Sequence, residues 1–269
     1  MRIRQIVALV LVLASAACSA WQPGPSTEPP AGMVLIPAGP FWMGSDARDG
    51  VVGVDVGVDE LPRHRVTLPA YYIDRYEVTN AQYARFIEAT RSTYLPAPWR
   101  ERDALRQEPN HPVSDTDWYD ADTYCRWAGK RLPTEAEWEK AARGPDGAAY
   151  PWGGVFSPGH ANTFEAGLGW SRPVGSYPEG ASTYGVEDLI GNVWEWTSSW
   201  YEPYPGSTLT RSAFGQTNRV LRGGSWGVPV QPFARATSRH APELFAINDR
   251  DTDWHTGYDV GFRCAKDAR

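Results

Sequence analysis

Glycine and proline interrupt this chain so often that long regular elements have little room. Its 26 Gly and 23 Pro make up about 18% of the residues, against roughly 12% in an ordinary chain. Glycine reaches backbone conformations closed to other residues, and proline fixes one dihedral and donates no hydrogen bond. The chain must therefore fold through turns and irregular connections. The large side chains suit such a fold, because 13 Trp and 13 Tyr outnumber 8 Phe and a buried Trp or Tyr needs a partner for its polar tip. At 269 residues size does not limit the core. A net charge of −6 with no basic run beyond the N-terminus argues against a nucleic-acid partner or an anionic membrane surface.

The opening MRIRQIVALVLVLASAACSA has two arginines, an apolar run from Ile6 to Ala14 and small residues before Cys18. It reads as a secretory signal over residues 1–17, too short and wrongly flanked for a transmembrane helix. Cys18, behind Ala16 and Ala17, resembles the lipidated cysteine of bacterial lipoproteins, although Ser15 stands where that motif prefers Leu. Lipidation at Cys18 and plain cleavage nearby are the two readings. Either places the protein outside the cytoplasm, in the periplasm or at the cell surface, with a membrane contact only through the anchor. Residues 18–32 are rich in Pro, Gly and Ser and form a tether; residues 33–269 form one domain. Cys125 and Cys264 remain, and in an exported chain such a pair reads as a disulfide.

Within the domain, MVLIPAGPFWMG reads as two short strands around a turn and HRVTLPAYYIDRYEVT as strand. Residues 46–62 read as a mobile surface loop, since their Asp residues lack the spacing and closing Glu of an EF-hand. Thr79 caps a predicted helix whose face carries Tyr83, Phe86, Ile87 and Thr90. A second helix places Ala121, Tyr124, Cys125 and Ala128 on one face and stops at Gly129. A third starts at a Thr134–Glu137 capping box, buries Trp138, Ala141 and Ala142, and stops at Gly144. Beyond Tyr150 short strands and loops are expected.

The densest chemical signal is EDLIGNVWEWTSSW. Asp188 and Glu195 are hard oxygen ligands seven residues apart, and Gly191 allows a turn that aims carbonyls at the same point, which suits Ca²⁺. A buried carboxylate network or a helix cap reads equally well from these residues. In LRGGSWGVPVQPFARATSR the Gly223–Gly224 pair permits close backbone approach before Ser225 and Trp226, but the run to Arg239 offers no nucleophile or general base. A GxSxG elbow, a P-loop and a GxGxxG are not expected, and no two of the five histidines stand at HxH or HxxxH spacing.

Taken in order, MVLIPAGPFWMGS, RHRVTLPAYYIDRYEVTNAQYARF, HPVSDTDWYDADTYCRWAGKRLPTEAEWEKAARG, YPWG, GNVWEW, VLRGGSW and GFRCA resemble the formylglycine-generating enzyme (sulfatase-modifying factor) family. The resemblance covers residues 33 to 266. It implies an α+β fold, irregular and loop-rich, related to C-type lectins. Authentic enzymes of that family hold copper through two cysteines after the GGS-aromatic motif and use O₂ to oxidise a substrate cysteine. Val228 and Phe233 occupy the matching positions here, so copper is not expected. The resemblance marks Trp194, Ser225 and Arg239 as pocket residues retained. It assigns calcium to Asp188, Gly191, Val193 and Glu195, the two middle residues through their carbonyls. A second family site would begin at Asn162 and Thr163, but EAGLGW supplies no clear acidic ligand. The family also joins cysteines in the motifs that contain Cys125 and Cys264.

The expected function is thus that of an exported, calcium-stabilised binding or accessory protein, whose partner is a peptide, a glycan or another exported protein. The alternative is an oxidoreductase of different chemistry, resembling the family member that matures the pyoverdine chromophore without the cysteine pair.

Overall fold

A computed structural model describes residues 29–46, 57–101, 103–242 and 259–268. The segment expected to be a signal sequence, Cys18 and most of the expected tether lie outside these residues. Strands β1 (Met33–Ile36) and β2 (Gly39–Met43) are separated by two residues yet do not pair. Instead β2 pairs antiparallel with β3 (His64–Leu68), while β1 pairs with β4 (Tyr71–Asp74). The stretch read as continuous strand therefore divides between two sheets, with Pro69 at the break, where a missing N–H interrupts the ladder.

Five of the six α-helices among the described residues follow before residue 144: α1 (Asn80–Thr90), α2 (Ala97–Glu101), α3 (Ala104–Gln107), α4 (Trp118–Trp127) and α5 (Glu135–Arg143). The helices α1, α4 and α5 are those expected from sequence. Each starts at a reciprocal capping box, on Thr79, Asp117 and Thr134 respectively, which satisfies otherwise orphaned N–H groups. The rest is β5 (Trp194–Trp200), β6 (Arg219–Arg222), the single turn α6 (Val230–Phe233), β7 (Arg239–His240), β8 (Val260–Gly261) and β9 (Ala265–Asp267). Sheet orders are β1-β4-β9, β2-β3 and β7-β6-β5-β8, with β5 and β8 parallel. The architecture is α+β and loop-rich. No helix among the described residues is long and apolar enough to cross a membrane.

The main core joins α1, α4 and β5 through Tyr83, Phe86, Tyr124, Trp194 and Phe262. Inside it, Cys125 and Cys264 form a disulfide with Cα atoms 5.7 Å apart. The periodicity of α5 predicts one buried stripe, but every residue of the helix except Ala136 is buried, Glu135, Glu137, Glu139, Lys140 and Arg143 included. Their charges find partners rather than water. Glu139 pairs with Arg143 and Arg222, Glu135 with Arg239, and Glu137 with Arg131. The surface-loop reading of residues 46–62 needs the same correction at its end. Residues 47–56 lie outside the described residues, but Asp59 and Glu60 are buried, the former accepting from Tyr201 Oη and the latter from Arg235 and Ser45. Buried counter-charges, invisible to local patterning, draw this turn inward.

Candidate functional site

Between α5 and β5 the backbone curls because Asp188, Gly191 and Asn192 all take left-handed conformations, with φ of 56°, 76° and 61°. At Gly191 a Cβ would lie 2.2 Å from Asn162 O, so only glycine permits this approach. The curl brings Asp188 and Glu195 together with a third buried carboxylate, Glu77 of the EVTN run. Glu195 accepts from Arg263 Nε and Nη2, both at 2.7 Å, and from Trp138 Nε1 at 2.9 Å. Two carboxylate oxygens offer about four acceptor sites, so Glu195 keeps capacity for another ligand. Asp188 accepts from Gly175 N at 2.7 Å.

Electrostatically, three carboxylates meet one guanidinium. Burial pushes the Asp188 carboxyl up to about 6. Burial, with the charges of Asp188 and Glu195, holds Glu77 well above the usual carboxylate range. No group of three or more His, Cys, Asp or Glu side chains that could hold a metal ion occurs among the described residues, so a hard cation here would have to draw on backbone carbonyls as well. Close by, Asn162 Oδ1 and Thr163 Oγ1 are buried without a hydrogen-bond partner among the described residues, whereas Glu165 is engaged by Val230 N at 2.9 Å.

The second candidate region is the turn after β6. Gly224 has φ 75°, and a Cβ there would lie 2.8 Å from Ala234 Cβ, which explains the glycine pair. The turn buries Ser225, whose Oγ donates to Asp259 Oδ2 at 2.6 Å and accepts from Gly227 N at 3.2 Å. Gly223–Gly227 spells G-x-S-x-G, which corrects the expectation that this motif is absent. It does not form a nucleophile elbow: Ser225 is not left-handed, and the turn leads into no long helix. The Trp194 ring stacks on His240 at 5.5 Å, and Phe233 meets His240 edge-on at 5.7 Å. Val228 and Phe233 pack in the same apolar cluster as Trp194.

Arg239 is not part of this group. Successive strand residues point to opposite faces, so in β7 it is His240 that faces Trp194, while Arg239 turns to Glu135 and the faces of Tyr201 and Tyr204. The pocket assignment of Arg239 is corrected accordingly. Sequence reading also passed over Glu77, Arg263 and Asp259. Only their membership of the EVTN and GFRCA runs, and the position of Asp259 just before the latter, could have marked them. His64 and His111 are structural, bonded to Pro62 O and Ser171 Oγ.

A family profile described as sulfatase-modifying factor enzyme 1-like domain matches residues 20–268. The chain belongs to that family. Formylglycine-generating enzyme of Streptomyces coelicolor is 34% identical over 96% of this chain and 96% of its own length. The inactive C-alpha-formylglycine-generating enzyme 2 of Mus musculus is 33% identical over 96% and 92%. The solved structure of PvdO from Pseudomonas aeruginosa shares the fold with a TM-score of 0.66 and 29% identity, covering 88% of this chain and 94% of that one. The sulfatase-modifying factor family thus includes active and inactive relatives, and activity has to be argued from the site.

Proposed function

We propose that this sulfatase-modifying factor family protein is an exported, calcium-stabilised binding or accessory domain, which recognises a peptide, a glycan or another exported protein without oxidising it. One observation carries the reading: the domain has no thiolate to offer a soft metal. Its two cysteines are bonded to each other inside the core, and apolar Val228 and Phe233 fill the positions where the resemblance places copper ligands. Cu(I) selects thiolates. The buried excess of carboxylates at Glu77, Asp188 and Glu195 supports calcium held by Asp188, Glu195 and the carbonyls of Gly191 and Val193. The disulfide fits an oxidising compartment, reached through the signal sequence expected at residues 1–17, with lipidation at Cys18 or plain cleavage nearby as the two routes of processing.

The test is to incubate the purified protein with Cu(I), O₂ and a sulfatase-type cysteine peptide, then weigh the peptide. Its mass should be unchanged; an aldehyde product would overturn the proposal. A second reading, an oxidoreductase of different chemistry, is favoured by the likeness to PvdO and by the polar Ser225–Asp259 pair beside Trp194 and His240. Oxygen uptake with a pyoverdine precursor peptide, abolished by Ser225→Ala, would put that reading first.

A further inference from the structure

Asn192 lies between the two residues whose carbonyls the calcium reading uses, and it is buried with every polar group engaged. Its N–H donates to Asn162 O at 2.7 Å and its carbonyl accepts from Trp226 N at 3.0 Å. Its Nδ2 donates to Glu77 Oε2 at 2.6 Å and Arg172 O at 3.3 Å, and its Oδ1 accepts from Arg172 N at 2.8 Å and Asn162 Nδ2 at 3.2 Å. Glu77 also accepts from Val193 N at 3.2 Å through its other oxygen. On the opposite side Gly191 N donates to Gly223 O at 3.0 Å. The curl of residues 188–195 is therefore bolted directly to the Gly223–Trp226 turn that carries Ser225.

From this geometry we infer that Glu77 and Asn192 are a positioning pair, which transmits occupancy of the cation loop to the Ser225 turn. The inference rests on the calcium reading. A cation drawing on the carbonyl of Gly191 acts on the peptide that supplies the Asn192 N–H, and one drawing on the carbonyl of Val193 acts on the residue whose N–H Glu77 accepts. Glu77 holds that residue from one side, so a tightened loop is felt at the Trp226 and Gly223 hydrogen bonds on the other. Two sites coupled through one rigid segment share a coupling free energy.

Amide hydrogen exchange of Trp226, in the full chain with and without calcium, reads the coupling directly, with calorimetry reporting calcium binding in parallel. Calcium should slow Trp226 exchange about tenfold, within the usual range of coupling between sites. Asn192→Gly tolerates the left-handed backbone and keeps both main-chain bonds while deleting the side-chain bonds. It should bind calcium more weakly, and its Trp226 amide should no longer respond. Glu77→Gln, which retains only one acceptor oxygen, should respond less than the parent and decides the matter if the glycine variant does not fold. Calcium binding without a Trp226 response, or variants that respond like the parent, would overturn the positioning role and leave the calcium reading intact. No calcium binding by the parent chain would remove both.

Discussion

Glu139 has no exposed surface and accepts from Gly44 N, Arg143 Nη1 and Arg222 Nη2. Arg222, equally buried, gives its remaining Nη donors to carbonyls of residues 236–238. Removing one partner of such a pair strands the other charge, which costs about 3–5 kcal/mol. Glu139→Ala should therefore lower unfolding stability by that order in urea titration. A loss under about 1 kcal/mol would mean that water replaces the carboxylate. Asp120 gives a pH signature. Burial, then the charge of Asp117, pushes its carboxyl up to about 6. A pKa raised above the unfolded value, roughly 3.9, means a contribution fully present below about pH 4 that is lost as pH rises through about 6. Asp120→Asn, neutral throughout and still able to accept from Asp117 N, should melt higher than the parent at pH 7.5 and close to it at pH 4. An equal gap at both pH values would exclude this origin.

Helices were legible at the scale of elements because their signals are local: a capping residue, a stripe at 3.6-residue spacing, a glycine stop. Thr134→Ala should cost about 1 kcal/mol, read from the same urea titration, since Thr134 Oγ1 accepts from Glu137 N at 3.1 Å. Strand partners were not legible, because β1 with β4 and β4 with β9 join segments far apart in the chain. The disulfide reinforces this long connection, tying α4 to the residue before β9 across 139 positions. The chain-entropy account assigns a loop of that length about 5 kcal/mol, less any strain. Reduction should lower the melting temperature accordingly, and the denatured protein should show no alkylation of Cys125 or Cys264 before reduction. Two alkylations at those positions would rule the bond out.

For the molecule as a whole, calcium that binds only the native state adds RT ln(1 + [L]/Kd), about 2.7 kcal/mol at a hundredfold excess over Kd. EDTA should lower the melting temperature, and restoring calcium should raise it again. An unchanged melting temperature, together with no calcium by elemental analysis, would leave Glu77, Asp188, Glu195 and Arg263 as a hydrogen-bonded charge cluster. Without a cation, burial and mutual repulsion raise the pKa values of Glu77 and Asp188, so that protonation competes with any cation that needs them ionised.

The helices α1, α4 and α5, the glycine turns at Gly191 and Gly224, the cysteine pair and the family are readable from the chain alone, because each is encoded by neighbours in the chain or by ordered motifs; the short helices α2, α3 and α6 are not. The sequence also marked Asp188, Trp194, Glu195 and Ser225. Which charges are buried together follows from the packing of distant segments. Arg263 reaches Glu195 from 68 positions away and Glu77 reaches Asn192 from 115, Asp259 reaches Ser225 from 34 positions away, and α5 is enclosed on its polar side. Strand alternation then decided that His240, not Arg239, faces Trp194. Contacts of this kind depend on which distant segments pack against each other, and the burial that raises a carboxylate's pKa or makes an arginine pair indispensable exists only after that packing.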